Sequence, residues 1–80
     1  MHETRLLGPV IKGIDEHTKK EGAERVKTVR LKIGQYLGIQ EDAVRGTFLT
    51  LTKGTRLEGA KLELIYFPAY RIEVVSFDID

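Results

Sequence analysis

Leu7, Val10, Ile11 and Ile14 recur at spacings of three and four. That period lays them along one face of a helix, expected over about residues 5–20. Glu21-Gly22 ends the pattern, with Lys19 and Lys20 near the negative end of the helix dipole. Gly8-Pro9 interrupts its early part, and because proline has no N–H for the preceding turn, the helix either begins near Pro9 or kinks there. From about Arg25 to Ile33 the period falls to two: Val29, Leu31 and Ile33 alternate with Thr28, Arg30 and Lys32, as in a strand with one buried face.

Gly34-Gln35-Tyr36-Leu37-Gly38 punctuates that strand. Ile39 to Lys53 reads as a second helix, with Val44, Phe48 and Leu51 on one stripe and Gly54 as its terminator. Leu62, Leu64 and Tyr66 mark a second strand, and Tyr70 to Ile79 a third. In the third, Ile72 and Val74 have one parity while Phe77 and Ile79 have the other, which predicts a β-bulge near Val75-Ser76. The fold class expected is α+β: a small two-layer domain of order α-β-α-β-β, with both helices packed on one face of a three-stranded mixed sheet. The first two strands should be parallel, since a helical crossover joins them. The short link Phe67-Pro68-Ala69 suggests an antiparallel hairpin for the last two. Val10, Ile14, Val29, Leu31, Val44, Phe48 and Leu64 are the expected core, whereas Arg30, Lys32, Glu63 and Glu73 fall on the opposite sheet face as cross-strand charge pairs.

Composition removes several function classes. Eighty residues form one domain (1–80), with little room for a deep catalytic cleft. A formal charge of +1 gives no electrostatic case for nucleic acid or an anionic membrane. The first twenty residues read as neither a signal peptide nor a membrane span. The absence of cysteine removes thiolate metal sites and thiol nucleophiles, and fits a cytoplasmic protein. Gly34 and Gly38 follow a strand, but no phosphate-loop fingerprint is completed. The one serine, Ser76, lies in a strand far in sequence from either histidine, so nothing pairs a nucleophile with a base and no enzyme is expected. Asp15, Glu16 and His17 are consecutive on a helix and point in different directions, as on a solvated face. Two uncovered sheet edges in so small a domain predict a homodimer at high concentration.

The chain end carries the remaining chemistry. His2 and Glu3 in a terminal Met-His-Glu could be solvated tail residues. Alternatively, the terminal amine of Met1, the backbone nitrogen of His2 and its imidazole can close two fused chelate rings about one metal. Planar nitrogen donors suit nickel(II) or copper(II) rather than tetrahedral zinc, with Glu3 or a partner's group in the fourth position.

Met-His-Glu at the start, "EGAERVKTVRLKIG" after the first helix, "TKGTRLEGAKLELIYFP" after the second and the closing "IEVVSFDID" together resemble the HypA/HybF family of nickel metallochaperones for hydrogenase maturation. The resemblance implies a non-enzymatic module that delivers or senses nickel(II), held by Met1, His2 and Glu3. It also implies a maturation GTPase and a nickel enzyme subunit as partners. Family members insert a zinc domain with paired Cys-x-x-Cys motifs before the last strand. This chain has only the residues around Pro68-Ala69 there, so no structural zinc is expected. It also has Gln35 and Gln40 where the family often has acids, and Pro9 in the first helix. The alternative is an interaction module that kept the fold and lost the metal role with the zinc domain.

Overall fold

A computed structural model of the chain describes residues 2–80, with side chains from Glu3 onward. Its order is α1 (His2–Lys20), β1 (Val26–Gly34), a 3-10 turn (Gln35–Leu37), α2 (Glu41–Leu51), β2 (Lys61–Phe67) and β3 (Ile72–Ile79). Among the described residues no helix is long and apolar enough to cross a membrane.

The first helix starts at His2, earlier than expected, and runs through Pro9 without interruption. Proline leaves the carbonyl four residues back without its helical donor. Here that carbonyl belongs to Arg5, and both Arg5 and Pro9 are exposed, so the gap lies on the solvent side of α1. The other end closes as the sequence predicts: Gly22, at φ +75°, lets the chain turn back. The Ala23 N–H donates to Thr18 O (3.1 Å) and the Gly22 N–H to Lys19 O (3.0 Å), the paired bonds of a Schellman cap. The second helix is shorter than the apolar pattern implied. Ile39 is buried ahead of it, Gln40 is the N-cap residue, and Glu41 and Asp42 place negative charge at its first turn. It ends at Leu51, where the buried Thr52 hydroxyl donates to Phe48 O at 2.8 Å.

The sheet order is β2-β1-β3. β1 pairs parallel to β2, with Val29, Leu31 and Ile33 opposite Leu62, Leu64 and Tyr66. The expected hairpin is not formed: β3 pairs antiparallel with β1, which lies between β2 and β3. The link between β2 and β3 must therefore pass over the end of β1. It crosses at Gly34, whose N–H donates to Arg71 O (2.8 Å), while Tyr36 N–H donates to Ala69 O (3.1 Å). A Cβ at Gly34 would lie 2.4 Å from the Ala69 carbonyl oxygen and 2.7 Å from the Arg71 nitrogen. Backbone atoms cannot swing aside as a side chain would, so only glycine fits beneath the crossing. The bulge expected near Val75-Ser76 is present: between the pairs Arg30↔Ser76 and Leu31↔Val74, β3 spends the extra residue Val75. That one residue restores Phe77 to the core side, opposite Val29.

Both helices cover the face bearing Val29, Leu31 and Ile33, all fully buried. Ile14, Val44 and Phe48 are buried as expected, but Val10 and Leu64 are only partly so. Leu7 and Ile11 bear the main contact from α1, and Leu57 enters from the segment after α2. That segment is fixed by Asp15, whose carboxylate accepts the Arg56 N–H at 2.9 Å, and by the Val26 N–H donating to Arg56 O at 2.7 Å. Asp15 is thus half-buried and structural, not part of a solvated face.

On the uncovered face Arg30 donates to Glu63 (3.1 Å), to Ser76 (3.2 Å) and through two nitrogens to Asp78 (3.2 and 3.0 Å). The expected cross-strand pairing holds for Arg30 with Glu63. Glu73 instead pairs with Arg71, and the Lys32 ammonium sits 4.7 Å above the Phe67 ring. Hydrogen bonding from Arg30, acting against the cost of desolvation, holds Asp78 below its ordinary carboxylate range, and the charges of Arg30 and Lys27 add to this.

Three outcomes follow for stability. Phe48→Ala should cost about 3–5 kcal/mol, the range for a buried phenylalanine, and a wild-type urea midpoint would remove it from the core. Gly34→Ala should cost about 3 kcal/mol or more, at or above the upper end for overpacking, because backbone must move. A melting temperature equal to wild type would show that the crossing is loose. A carboxylate whose pKa is depressed by folding stabilises above its unfolded pKa, about 3.9 for aspartate, and that contribution is lost as pH falls through the folded value. Wild type should therefore melt higher than Asp78→Asn at neutral pH, and thermal scans should show the gap closing in acid.

Candidate metal centre

The first turn of α1 brings the start of the chain to α2. Glu3 is half-buried and, with Thr4, shares a shallow groove with Ala43, Gly46, Thr47, Thr50 and Leu51. The small residues of α2 recur at positions 43, 46, 47 and 50, a helical spacing that makes one face of low relief. Val44 and Phe48 point from the same helix into the core. Small residues at that spacing, offset from the apolar stripe, are the sequence signal for this surface.

A helix that starts at His2 gives the chain end a definite electrostatic setting. The first four N–H groups of a helix have no acceptor within it, and they carry the positive end of its dipole. Glu3 sets a carboxylate in that first turn. A backbone nitrogen there can bind a metal after losing its proton without breaking a helical hydrogen bond. Met1 and the imidazole of His2 lie outside the described residues, so the side chain of Glu3 alone represents the Met-His-Glu set in the geometry.

The remaining candidates are placed apart from it. His17 is exposed on the last turn of α1, about 22 Å along the axis from His2 at 1.5 Å per residue. Its ring stands edge-on to Phe77, with centroids 5.6 Å apart. Asp15 is held by Arg56, and Glu16 is exposed on another side of the helix. Gln35 opens the 3-10 turn and Gln40 precedes α2, both exposed. Ser76 accepts from Arg30 on the uncovered sheet face. Among the described residues no three His, Asp or Glu side chains converge as metal ligands.

Comparison with known proteins agrees with the fold and extends to its start. The family model described as "Hydrogenase/urease nickel incorporation, metallochaperone, hypA" matches residues 1–72. The hydrogenase maturation factor HypA of Beijerinckia indica is 37% identical over 68 residues, 85% of this chain and 60% of that protein. The protein of the same name from Methanopyrus kandleri is 38% identical over 64 residues, 80% of this chain and 45% of that one. The chain thus spans about 60% or less of the length of these curated relatives. The solution structure of the Ni metallochaperone HypA from Helicobacter pylori superposes with a TM-score of 0.80 at 14% identity, covering 96% of each chain, a likeness of fold. With a family match reaching from Met1 to the first residue of β3, the chain belongs to the HypA family of nickel-incorporation metallochaperones.

Proposed function

We propose that the chain carries one nickel(II) ion as cargo, bound by the Met1 amine, the backbone and imidazole nitrogens of His2, and Glu3. It delivers or senses that ion in the maturation of a nickel enzyme such as [NiFe] hydrogenase. The observation that carries the reading is that the family match begins at residue 1, so the Met-His-Glu donors lie inside the matched segment. The donor chemistry supports it. Two fused chelate rings of nitrogen donors favour square-planar nickel(II), and the deprotonated amide together with Glu3 offsets the positive helix end on which the ion would sit. The relatives named as hydrogenase maturation factors support the role. A maturation GTPase and the recipient enzyme subunit are the partners proposed, in the cytoplasm. Folding is proposed to be independent of zinc, since the chain has no cysteine to supply the usual ligands. The second reading is an interaction module without a metal role, and it is favoured by one observation: only residues 68–71 stand between β2 and β3, where the family resemblance implies a zinc domain.

Titration of the untagged chain with nickel chloride, followed by calorimetry, separates the two. One ion per protomer is expected. His2→Ala should abolish binding and His17→Ala should leave it unchanged. Two residues added ahead of Met1 should be as damaging as His2→Ala, because the amine becomes an amide. The amine and imidazole bind only when unprotonated, so affinity should fall as pH drops through the histidine range, near about 6.5. A native chain that binds no nickel would establish the interaction module instead, and an N-terminally extended chain that binds it as tightly as the native one would remove Met-His-Glu as the site.

A further inference from the structure

The uncovered sheet face divides into two halves of different character. At one end the charges are satisfied within the chain: Arg30 serves Glu63 and Asp78, and Arg25 serves Asp80 at 2.9 Å. At the other end, where the β2–β3 link crosses β1, Arg71 is paired with Glu73 and one cation, Lys32, is left over. Lys32 has no carboxylate within 4.0 Å among the described residues, although Glu73 is its cross-strand neighbour, because Glu73 is engaged by Arg71. Both cations lie over one ring: the Lys32 ammonium is 4.7 Å and the Arg71 guanidinium 5.4 Å from the centroid of Phe67. The ring is a contact common to both charges and biases where they stand.

Exposed apolar and aromatic side chains lie on the neighbouring segments. Ile65, cross-strand from Lys32 on β2, is 61% exposed. At the crossing Tyr36 and Tyr70 are 53% and 75% exposed, their rings 5.2 Å apart and tilted by 45°. Two rigid tyrosines beside an arginine are the residue types that anchor protein interfaces.

We propose that this end of the sheet is a docking surface for an acidic segment of a partner protein, whose carboxylates meet Lys32 and Arg71 while its apolar side chains cover Ile65 and the Tyr36–Tyr70 pair. Charge selects that occupant. A second copy of this chain would bring the same two cations against their like across a two-fold axis. A nucleic-acid strand would find two cations where a backbone-tracking groove needs a run of them, on a chain of net charge +1.

The probe is the peptide acetyl-Glu-Phe-Glu-Leu-Glu-amide, titrated into 15N-labelled full chain and followed by amide chemical shifts. Shifts should be confined to residues 32–36 and 65–71. Binding should weaken about tenfold in Lys32→Glu, where attraction becomes repulsion, and also in Tyr70→Ser, which keeps every charge. It should weaken too between about 0.05 and 0.5 M salt. Lys32 and Tyr70 lie outside the core, and matching melting curves would show that both variants fold. Shifts elsewhere on the chain, no shifts, or equal binding of the lysine counterpart of the peptide would overturn the proposal. So would the same shifts on concentrating the protein alone, which would make the surface a self-contact, or tighter binding of an oligothymidine.

Discussion

The fold depends on one point of closest approach. The backbone of residues 69–71 lies over Gly34 with less clearance than a single methyl group requires. Because that crossing is tight, the link leaving β2 can reach the far side of β1 and lay β3 antiparallel along it. The two hydrogen bonds at the crossing tie the link to the strand it passes over, so the end of the sheet is closed by backbone rather than by side chains. β1 thereby becomes the central strand, paired on both edges, and the residues it turns inward are among the most deeply buried in the molecule.

Around that strand the two faces are organised by different forces. One is covered by α1 and α2 and held by apolar contact, with Leu57 and the Asp15–Arg56 link sealing the opposite end. The other has no covering layer and is ordered by charge, with Arg30 as its hub. Exposed ion pairs contribute little to stability individually. Their effect on this face is to occupy the polar groups of three strands with one another, which leaves the Lys32 end as the part of the face with charge to spare.

Much of this was legible in the residues themselves. The change of parity within Ile72–Ile79 located the bulge at Val75, because a strand cannot bury residues of both parities without spending one. Glu21-Gly22 located the end of α1 for the same kind of reason: only certain residues turn the chain there. What was not legible was decided by groups distant in sequence. A link of a few residues suits a hairpin and a crossing equally well, and the choice rests on the missing Cβ of Gly34, a residue distant in sequence. Pro9 suggested a break because its effect depends on which way the orphaned carbonyl faces, and that is set by the burial of Leu7 and Ile11. Leu57 has polar neighbours in sequence and no period to betray it. At the candidate site, Met-His-Glu is a short motif that gained meaning from the family match. The small-residue face of α2 had a periodic signal, but it acquired a role only when the first turn of α1 was seen to lie against it.

The crossing also defines a seam in the architecture. β2 ends and β3 begins on either side of β1, about 10 Å apart at ordinary strand spacing, and both ends are fixed by pairing to that strand. Chain spliced between them would have to rejoin two anchored points, an entropic cost that rises only slowly with length. The strand ladder and the helical layer would not be called on to rearrange. The sheet end is thus the place where added chain would disturb the strand ladder and the layer that carries the N-terminus least.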